Sequence, residues 1–234
     1  MLESAPMTER PTLVLASNSP RRKELIALGG WTFEVIVSNA DESLLPGEGP
    51  AEYVRRLAEA KARLSVPRAT ESQIVVAADT SVVDGESILG KPADPSEAKR
   101  MLSQLRGRVH QVYTGIAALR VRDGLILTDV CVTDVPMRKY SDAEIDAYVA
   151  SGDPLDKAGA YGIQNPQFQP VASMSGCYAS VMGLPMCHLT RLLARMNLSP
   201  AADVPMKCQS FLNSACPVFS HVLRKETNET VSMD

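Results

Sequence analysis

The 234-residue chain has no apolar run near the ~18 residues that a bilayer span requires. Its first residues, with Glu3 and Glu9, lack the basic, then apolar, then small-residue order of a secretory leader. Both absences point to a cytoplasmic protein with no membrane partner. Cys-x-x-Cys is missing too: Cys131, Cys177, Cys187, Cys208 and Cys216 are odd in number and spaced unlike a zinc or thioredoxin motif, so reduced, mostly buried thiols are expected. His110, His188 and His221 lie far apart, which leaves no sequence basis for a histidine metal site or a Cys–His pair. A net charge of −3 gives no general attraction to nucleic acid. Gly-x-x-x-x-Gly-Lys-Ser/Thr, Gly-x-Gly-x-x-Gly and Gly-x-Ser-x-Gly are all absent, so P-loop, Rossmann and serine-hydrolase readings lose their main support.

What is present suffices for a packed core, at 45% hydrophobic residues. Residues 1–10 read as an unstructured lead, with Met7 an alternative start. Residues 11–198 read as one domain. Residues 199–234 read as a tail of unassigned role, an add-on helix or partly disordered segment, because polar and small residues rise and the amphipathic period fades. Leu13-Val14-Leu15 reads as a buried strand; Ser19 is a good N-cap, Pro20 suits the first helical position, and Gly29-Gly30 stops that helix. A short strand is expected over 33–37, then a helix over about 51–65 with Tyr53, Val54, Leu57, Ala58 and Leu64 on its apolar face.

Ile74 to Ala78 reads as a buried strand with Asp79-Thr80 at its end, before a hairpin turn at Asp84-Gly85. Capping boxes at Asp94-Pro95-Ser96-Glu97 and Ser141-Asp142-Ala143-Glu144 open two helices, and strands over 109–121 and 125–135 join at Asp123-Gly124 between them. Met186, Leu189, Leu192, Leu193 and Met196 form a core stripe on a last helix that Pro185 starts. Strands interleaved with helices, with at least two hairpins, predict a mixed-sheet α/β protein.

Several charged residues sit where local rules disfavour them. Arg21 and Arg22 occupy the first turn of a helix, where the dipole opposes each by roughly 0.3–1 kcal/mol. A bound phosphate would reverse that sign, because backbone N–H groups and guanidinium forks would then face one anion. Lys61 lies on a core-facing helix edge beside Leu57 and Leu64, and Lys91 follows a hairpin in Gly90-Lys91-Pro92. Asp79, at the end of a buried strand, is costly unless it is paired or holds a metal. With Glu42, in the acidic turn Asp41-Glu42, it would supply oxygen ligands for Mg²⁺ or Mn²⁺. A divalent metal among such cations describes the handling of a polyphosphate such as a nucleoside triphosphate. The bland alternatives are a solvated basic turn and an Asp79 that only partners a nearby cation.

Six segments, in order, carry a resemblance: Ser17-Asn18-Ser19-Pro20-Arg21-Arg22, Ala78-Asp79-Thr80, Gly90-Lys91-Pro92, Tyr113-Thr114-Gly115, the run from Lys157 to Gln164, and Val181-Met182-Gly183-Leu184-Pro185. Together they resemble the Maf family of nucleoside triphosphate pyrophosphatases, with agreeing spacing over about 12–196. The resemblance implies a Maf / ITPase-like fold, an elongated mixed β-sheet flanked by helices, with two lobes and a nucleotide cleft between them. It also implies metal-dependent cleavage between the α and β phosphates and, often, a homodimer. Asp79 matches the family's proton acceptor and metal ligand, and Glu42 its second acidic metal position. Arg21, Arg22, Lys61 and Lys91 match its phosphate-binding cations, and Ser17 joins the substrate-binding set.

Thr80 and Gln164 resemble the branch acting on dTTP and UTP. A glutamine amide can accept from the N3–H of uracil or thymine while donating to a neighbouring carbonyl. The expected activity is hydrolysis of dTTP or UTP, with modified pyrimidine triphosphates as further candidates, to monophosphate and pyrophosphate; the alternative is a nucleotide-binding regulator of cell division and septum formation. Two departures bear on base selectivity: Asn165-Pro166-Gln167-Phe168-Gln169-Pro170 replaces a glycine-containing stretch, and Gly176-Cys177-Tyr178 replaces Gly-Ser-Tyr. An exposed Cys177 would add oxidation sensitivity.

Overall fold

A computed structural model describes residues 12–224. One mixed sheet contains β1 (Leu13–Leu15), β2 (Phe33–Val35), β3 (Ile74–Asp84), β4 (Ser87–Leu89), β5 (Val109–Arg120) and β6 (Ile126–Pro136), in the order β2-β1-β3-β5-β6 with β4 on the far part of β3. β1 runs parallel to β2 and β3, whereas β3, β5 and β6 pair antiparallel. Those three strands have 11, 12 and 11 residues and give the sheet its elongated form. The helices are α1 (Pro20–Ala27), α2 (Pro50–Ser65), α3 (Pro95–Leu105), α4 (Asp142–Ala150), α5 (Tyr178–Val181), α6 (Met186–Ala194), α7 (Val204–Leu212) and α8 (Phe219–Arg224). None of them is long and apolar enough to cross a membrane.

Alternate residues of a strand face opposite sides, and β3 uses both. On one face Ile74, Val76 and Ala78 pack with Leu25 and Ile26 of α1 and with Met186, Leu189, Leu192 and Leu193 of α6. Farther along the same face, Val82 joins a second core with Ala98, Met101, Leu102 and Leu105 of α3 and Ile145, Tyr148 and Val149 of α4. Thr80 falls between the two cores. The opposite face lies under α2, where Val75 and Ala77 meet Ala58 and Ala62.

Gly115, paired with Asp79 across β3 and β5, lets α2 come this close, since an added Cβ would fall 2.5 Å from the Val54 carbonyl carbon.

Three expectations change. β3 does not end at Ala78: β5 pairs with it from Ile74 to Val83, so Asp79 is mid-strand. The drop in apolarity that suggests a strand end marks the junction between the two cores instead. Leu64 is 50% exposed, and the buried face of α2 is Val54, Leu57, Ala58, Lys61, Ala62 and Ser65, rotated from the expected stripe. Asp94 caps α3 through Glu97 N, but Glu97 reaches back to Ala93 N rather than to the cap residue. Within the tail, α7 puts Val204 and Cys208 into the first core and Trp31 Nε1 donates to Ser199 O at 3.1 Å. The lead at 1–10 and the last part of the tail lie outside the described residues.

Candidate active site

The site begins at a gap in the sheet. β1 stops with Leu15 opposite Val76, and β4, antiparallel to β3, ends with Leu89 opposite Val82. Between them, the edge of β3 over 77–81 has no strand neighbour among the described residues. The chain leaving β1 turns through Ser17-Asn18-Ser19 at this gap and enters α1, whose start carries Arg21 and Arg22. Such positions, beyond the carboxyl end of a parallel strand and at a helix N-terminus, suit anionic ligands.

Arg22 is fixed from three sides. Its Nε donates to Gly183 O at 2.9 Å, Nη1 to Ser17 Oγ at 3.3 Å, and Nη2 to Thr80 Oγ1 at 3.2 Å. All of these acceptors are neutral. Burial lowers the guanidinium pKa, with Asp79 working in the opposite direction, yet an arginine stays protonated in proteins. Thr114 Oγ1 donates to Ser180 O at 2.8 Å, so its 3.0 Å contact with Thr80 Oγ1 receives the Thr80 proton. A directed chain therefore runs Arg22 to Thr80 to Thr114 to the Ser180 carbonyl. Gly183, at φ +108°, supplies its carbonyl from a backbone conformation that side-chain-bearing residues rarely adopt. Arg21 Nε is buried with no hydrogen-bond partner among the described residues.

On the α2 side, Lys61 Nζ lies 2.6 Å from both Glu42 Oε1 and Asp79 Oδ1. The two carboxylates thus face each other across one ammonium. Asp79 is 7% exposed, whereas the Glu42 side chain is 52% exposed. Tyr53 Oη donates to the Glu42 backbone carbonyl at 2.7 Å and fixes the acidic turn on α2. Burial works to raise the Glu42 pKa, but the Lys61 hydrogen bond and the charges of Lys61, Lys91 and Arg22 outweigh it and hold the group below its ordinary value. Lys91 is exposed and belongs to the same electrostatic cluster.

Gln164 is positioned by a separate segment. Gly159 packs on Val82 where an added Cβ would fall 2.8 Å away, and Gly159 N donates to Gly90 O at 3.0 Å, tying this loop to the Gly90-Lys91 turn. Ile163 touches both cores, so Gln164 follows directly at their junction, exposed. No side-chain hydrogen bond joins Gln164 to the cations among the described residues. The next turn is anchored away from them: Asn165 Oδ1 accepts from Phe168 N at 2.8 Å, and Phe168 stacks on Tyr148 at 4.1 Å.

The structure therefore brings Ser17, Arg22 and Thr80 into direct contact, and likewise Glu42, Lys61 and Asp79. Arg21 and Lys91 join through the field at Arg22 and Glu42. Sequence reasoning gave no role to Thr114, Tyr53 or the carbonyls of Ser180 and Gly183. Thr114 stands opposite Thr80 in the β3–β5 register, a pairing that becomes visible only once the strands are aligned. Three or more His, Cys, Asp and Glu residues do not converge into a metal cluster among the described residues.

The model of the family described as Maf-like protein matches residues 12–196. A dTTP/UTP pyrophosphatase of Dehalococcoides mccartyi is 43% identical over 193 residues, which covers 82% of this chain and 86% of that protein. One from Geobacter sulfurreducens is 47% identical over 189 residues, covering 80% and 98%. The Staphylococcus aureus Ham1 protein structure aligns over 86% of this chain and 98% of its own, with 13% identity and a TM-score of 0.41. With most of its length matched by the family model, the chain belongs to the Maf-like protein family.

Proposed function

We propose that this protein hydrolyses pyrimidine nucleoside triphosphates, dTTP and UTP foremost, between the α and β phosphorus atoms, giving the monophosphate and pyrophosphate. Arg22 carries the proposal: it is a half-buried cation whose three side-chain hydrogen bonds all end on neutral oxygens. With Arg21, Lys61 and Lys91 around it and only Glu42 and Asp79 opposing them, the cluster keeps an excess of positive charge that a polyphosphate would neutralise. The relatives named above as dTTP/UTP pyrophosphatases support the same substrate class.

Glu42 and Asp79 are hard oxygen donors turned toward one cation, a donor pair that suits Mg²⁺ or Mn²⁺ shared with phosphate oxygens. We assign them as the ligands of such an ion. When bound, it would neutralise phosphate charge and make a water molecule more acidic. Asp79, rigid in β3, accepts the proton of the attacking water, and Lys61 turns from the carboxylates to the phosphate oxygens. Arg22 is held pre-oriented by Ser17, Thr80 and Gly183, so little reorganisation accompanies charge build-up on the leaving pyrophosphate. Arg21 and Lys91 add charge there, and Gln164 reads the pyrimidine edge.

The test is pyrophosphate release, measured apart from orthophosphate, over a panel of nucleoside triphosphates with Mg²⁺ or Mn²⁺ and with chelator. Metal-dependent release from dTTP and UTP is expected, abolished in Asp79→Asn with its circular dichroism unchanged. Absence of release from every nucleotide, or near-normal rates in Asp79→Asn, would overturn the reading. Gln164→Ala should narrow the preference for dTTP over CTP; an unchanged ratio removes Gln164 from base recognition.

A further inference from the structure

Gln164 sits at the tip of a tight turn, closed by Asn165 N donating to Gly162 O at 3.0 Å, with Ile163 and Gln164 as its two inner residues. Ile163 packs inward on both cores, and Gln164 is exposed. Both ends of this turn are tied to one carboxylate. Before the tip, Gly162 N donates to Tyr148 Oη at 2.9 Å, and that hydroxyl donates its own proton to Asp153 Oδ2 at 2.6 Å. After the tip, Asn165 Nδ2 donates to the same Asp153 oxygen at 3.2 Å. Asp153 is held in turn by Lys157, whose Nζ lies 3.0 Å from Oδ1 and 2.6 Å from the Asp153 backbone carbonyl oxygen. Burial works to raise the Asp153 pKa, but the hydrogen bonds from Tyr148 and Lys157 and the Lys157 charge outweigh it and hold the group below its ordinary value.

The residues that follow continue the clamp. Asn165 Oδ1 accepts from Gln167 N at 3.1 Å and from Phe168 N at 2.8 Å, and Phe168 stacks on the Tyr148 ring with centroids 4.1 Å apart. Tyr148 thus holds the segment twice, through its hydroxyl before Gln164 and through its ring after it. Arg138 fastens the far end, donating to the carbonyls of Phe168 at 2.8 Å and Gln169 at 3.1 Å. Asn165 and Phe168 belong to the stretch that replaces a glycine-containing one, and a glycine could make neither side-chain contact.

We propose that Tyr148, Asp153 and Asn165 are positioning residues for base selectivity: they fix the backbone of the turn, so that the Gln164 amide meets a pyrimidine edge already oriented. This role rests on the reading of Gln164 as the residue that contacts the base. An amide discriminates only while its oxygen and nitrogen stay in register with the ligand. Thymine and uracil donate through N3–H where cytosine N3 accepts, and an amide free to move can present either end. On a loose turn both backbone and side chain can follow whichever base arrives. On a fixed turn only the torsions of Gln164 itself remain, so less freedom is lost when the matching base binds and a mismatched one leaves polar groups unpaired.

Titration calorimetry with the α,β-methylene analogues of dTTP and dCTP reads the preference without turnover, and hydrogen–deuterium exchange over residues 162–169 reads the turn itself. Tyr148→Phe deletes the hydroxyl and keeps the ring against Phe168. Asn165→Asp keeps an acceptor for Gln167 N and Phe168 N but sets a carboxylate oxygen against Asp153. Each should speed exchange over 162–169 by at least about fivefold, as expected for one lost hydrogen bond. Each should also cut the affinity ratio of the two analogues by about fivefold, mainly through weaker binding of the thymine analogue. General loosening of the fold would weaken both analogues alike, so the ratio separates positioning from stability. In a Gln164→Ala background neither substitution should change the ratio further. Unchanged exchange in both variants, an unchanged ratio in both, a further fall in the Gln164→Ala background, or equal affinity of wild type for the two analogues overturns the proposal. A ratio that falls in both variants, in a protein that releases no pyrophosphate from dTTP, counts against the pyrophosphatase reading and not against the positioning role.

Discussion

Replacing Lys61 by methionine removes the one ammonium that Glu42 and Asp79 share. The two carboxylates do not suffer equally. Glu42 is half exposed and falls back on water, whereas Asp79 is stranded beneath α2 with 7% of its surface accessible. Removing one partner of a buried pair costs about 3–5 kcal/mol, and with only Asp79 stranded the lower end, about 3 kcal/mol, applies. In a chain of this size that lowers the melting temperature by roughly 6–12 °C. A divalent cation would take the place of the lost ammonium, and at a hundredfold excess over its dissociation constant it returns about 2.7 kcal/mol.

The assay is thermal unfolding of wild type and Lys61→Met with chelator and with Mn²⁺. The variant should melt well below wild type in chelator and recover most of the gap with Mn²⁺. Wild type should gain less, since the ion must first displace Lys61. Adding Asp79→Asn to Lys61→Met should recover stability relative to Lys61→Met alone, because the stranded charge is then gone. A Lys61→Met protein that melts within about 2 °C of wild type in chelator would refute the electrostatic account of Asp79. Equal Mn²⁺ gains in the two proteins would refute the assignment of the carboxylate pair as a metal site.

Two further outcomes follow from local packing and from one titration. Gly115→Ala places a methyl group against the Val54 backbone carbonyl; it should cost about 1–3 kcal/mol in urea unfolding and, by lifting α2, lower turnover more than substrate binding. His110 is held down at about 4 by burial, against the usual 6.5. The unfolded chain therefore binds a proton as pH falls through 6.5 while the folded protein does not until about 4, so His110 stabilises the fold above 6.5 and this contribution is lost on acidification through that window. The difference is on the order of 3 kcal/mol, and stability measured at pH 7.5 and pH 4.5 should fall less in His110→Gln than in wild type.

What could be read from the chain was what depends on near neighbours. Ser19 and Pro20 start α1 as expected, and Gly85 and Gly124 take the positive φ their hairpins require. Lys61 was recognisable because three- and four-residue spacing placed a cation among apolar residues. Asp79 shows the limit of such reasoning. Its polarity interrupts an apolar run, and local pattern equates that with a strand end. Only the pairing with β5 shows that the strand continues into a second core. Thr114 was hidden for the same reason, since its partner Thr80 is 34 residues away. Gly115 was visible as part of a motif, but its cause is the α2 backbone, contributed by a segment about a third of the domain earlier in the chain. The pairing of His188 with Asp129, 59 residues apart, likewise comes from tertiary packing alone.

The adjacency of Asp79 and Thr80 accounts for why segments spread over the whole domain converge. Neighbouring residues on a strand point to opposite faces, so Asp79 meets Lys61 and Glu42 under α2 while Thr80 meets Arg22 on the side of α1 and α5. In a sheet closed on both edges these faces would never share a ligand. Here β1 has already ended and pairing with β4 has not begun, so the edge of β3 is open at these two residues. A ligand lodged at that edge can be held by the acid–ammonium group from one face and by the guanidinium from the other. The shortness of β1 is therefore part of the site: extending it by two residues would carry strand pairing from Val76 to Ala78, move the start of α1, and separate Arg22 from Thr80. The exceptions to local rules, with cations at a helix start, an acid in mid-strand and an arginine without a carboxylate, meet at this opening, as expected where stability is exchanged for binding.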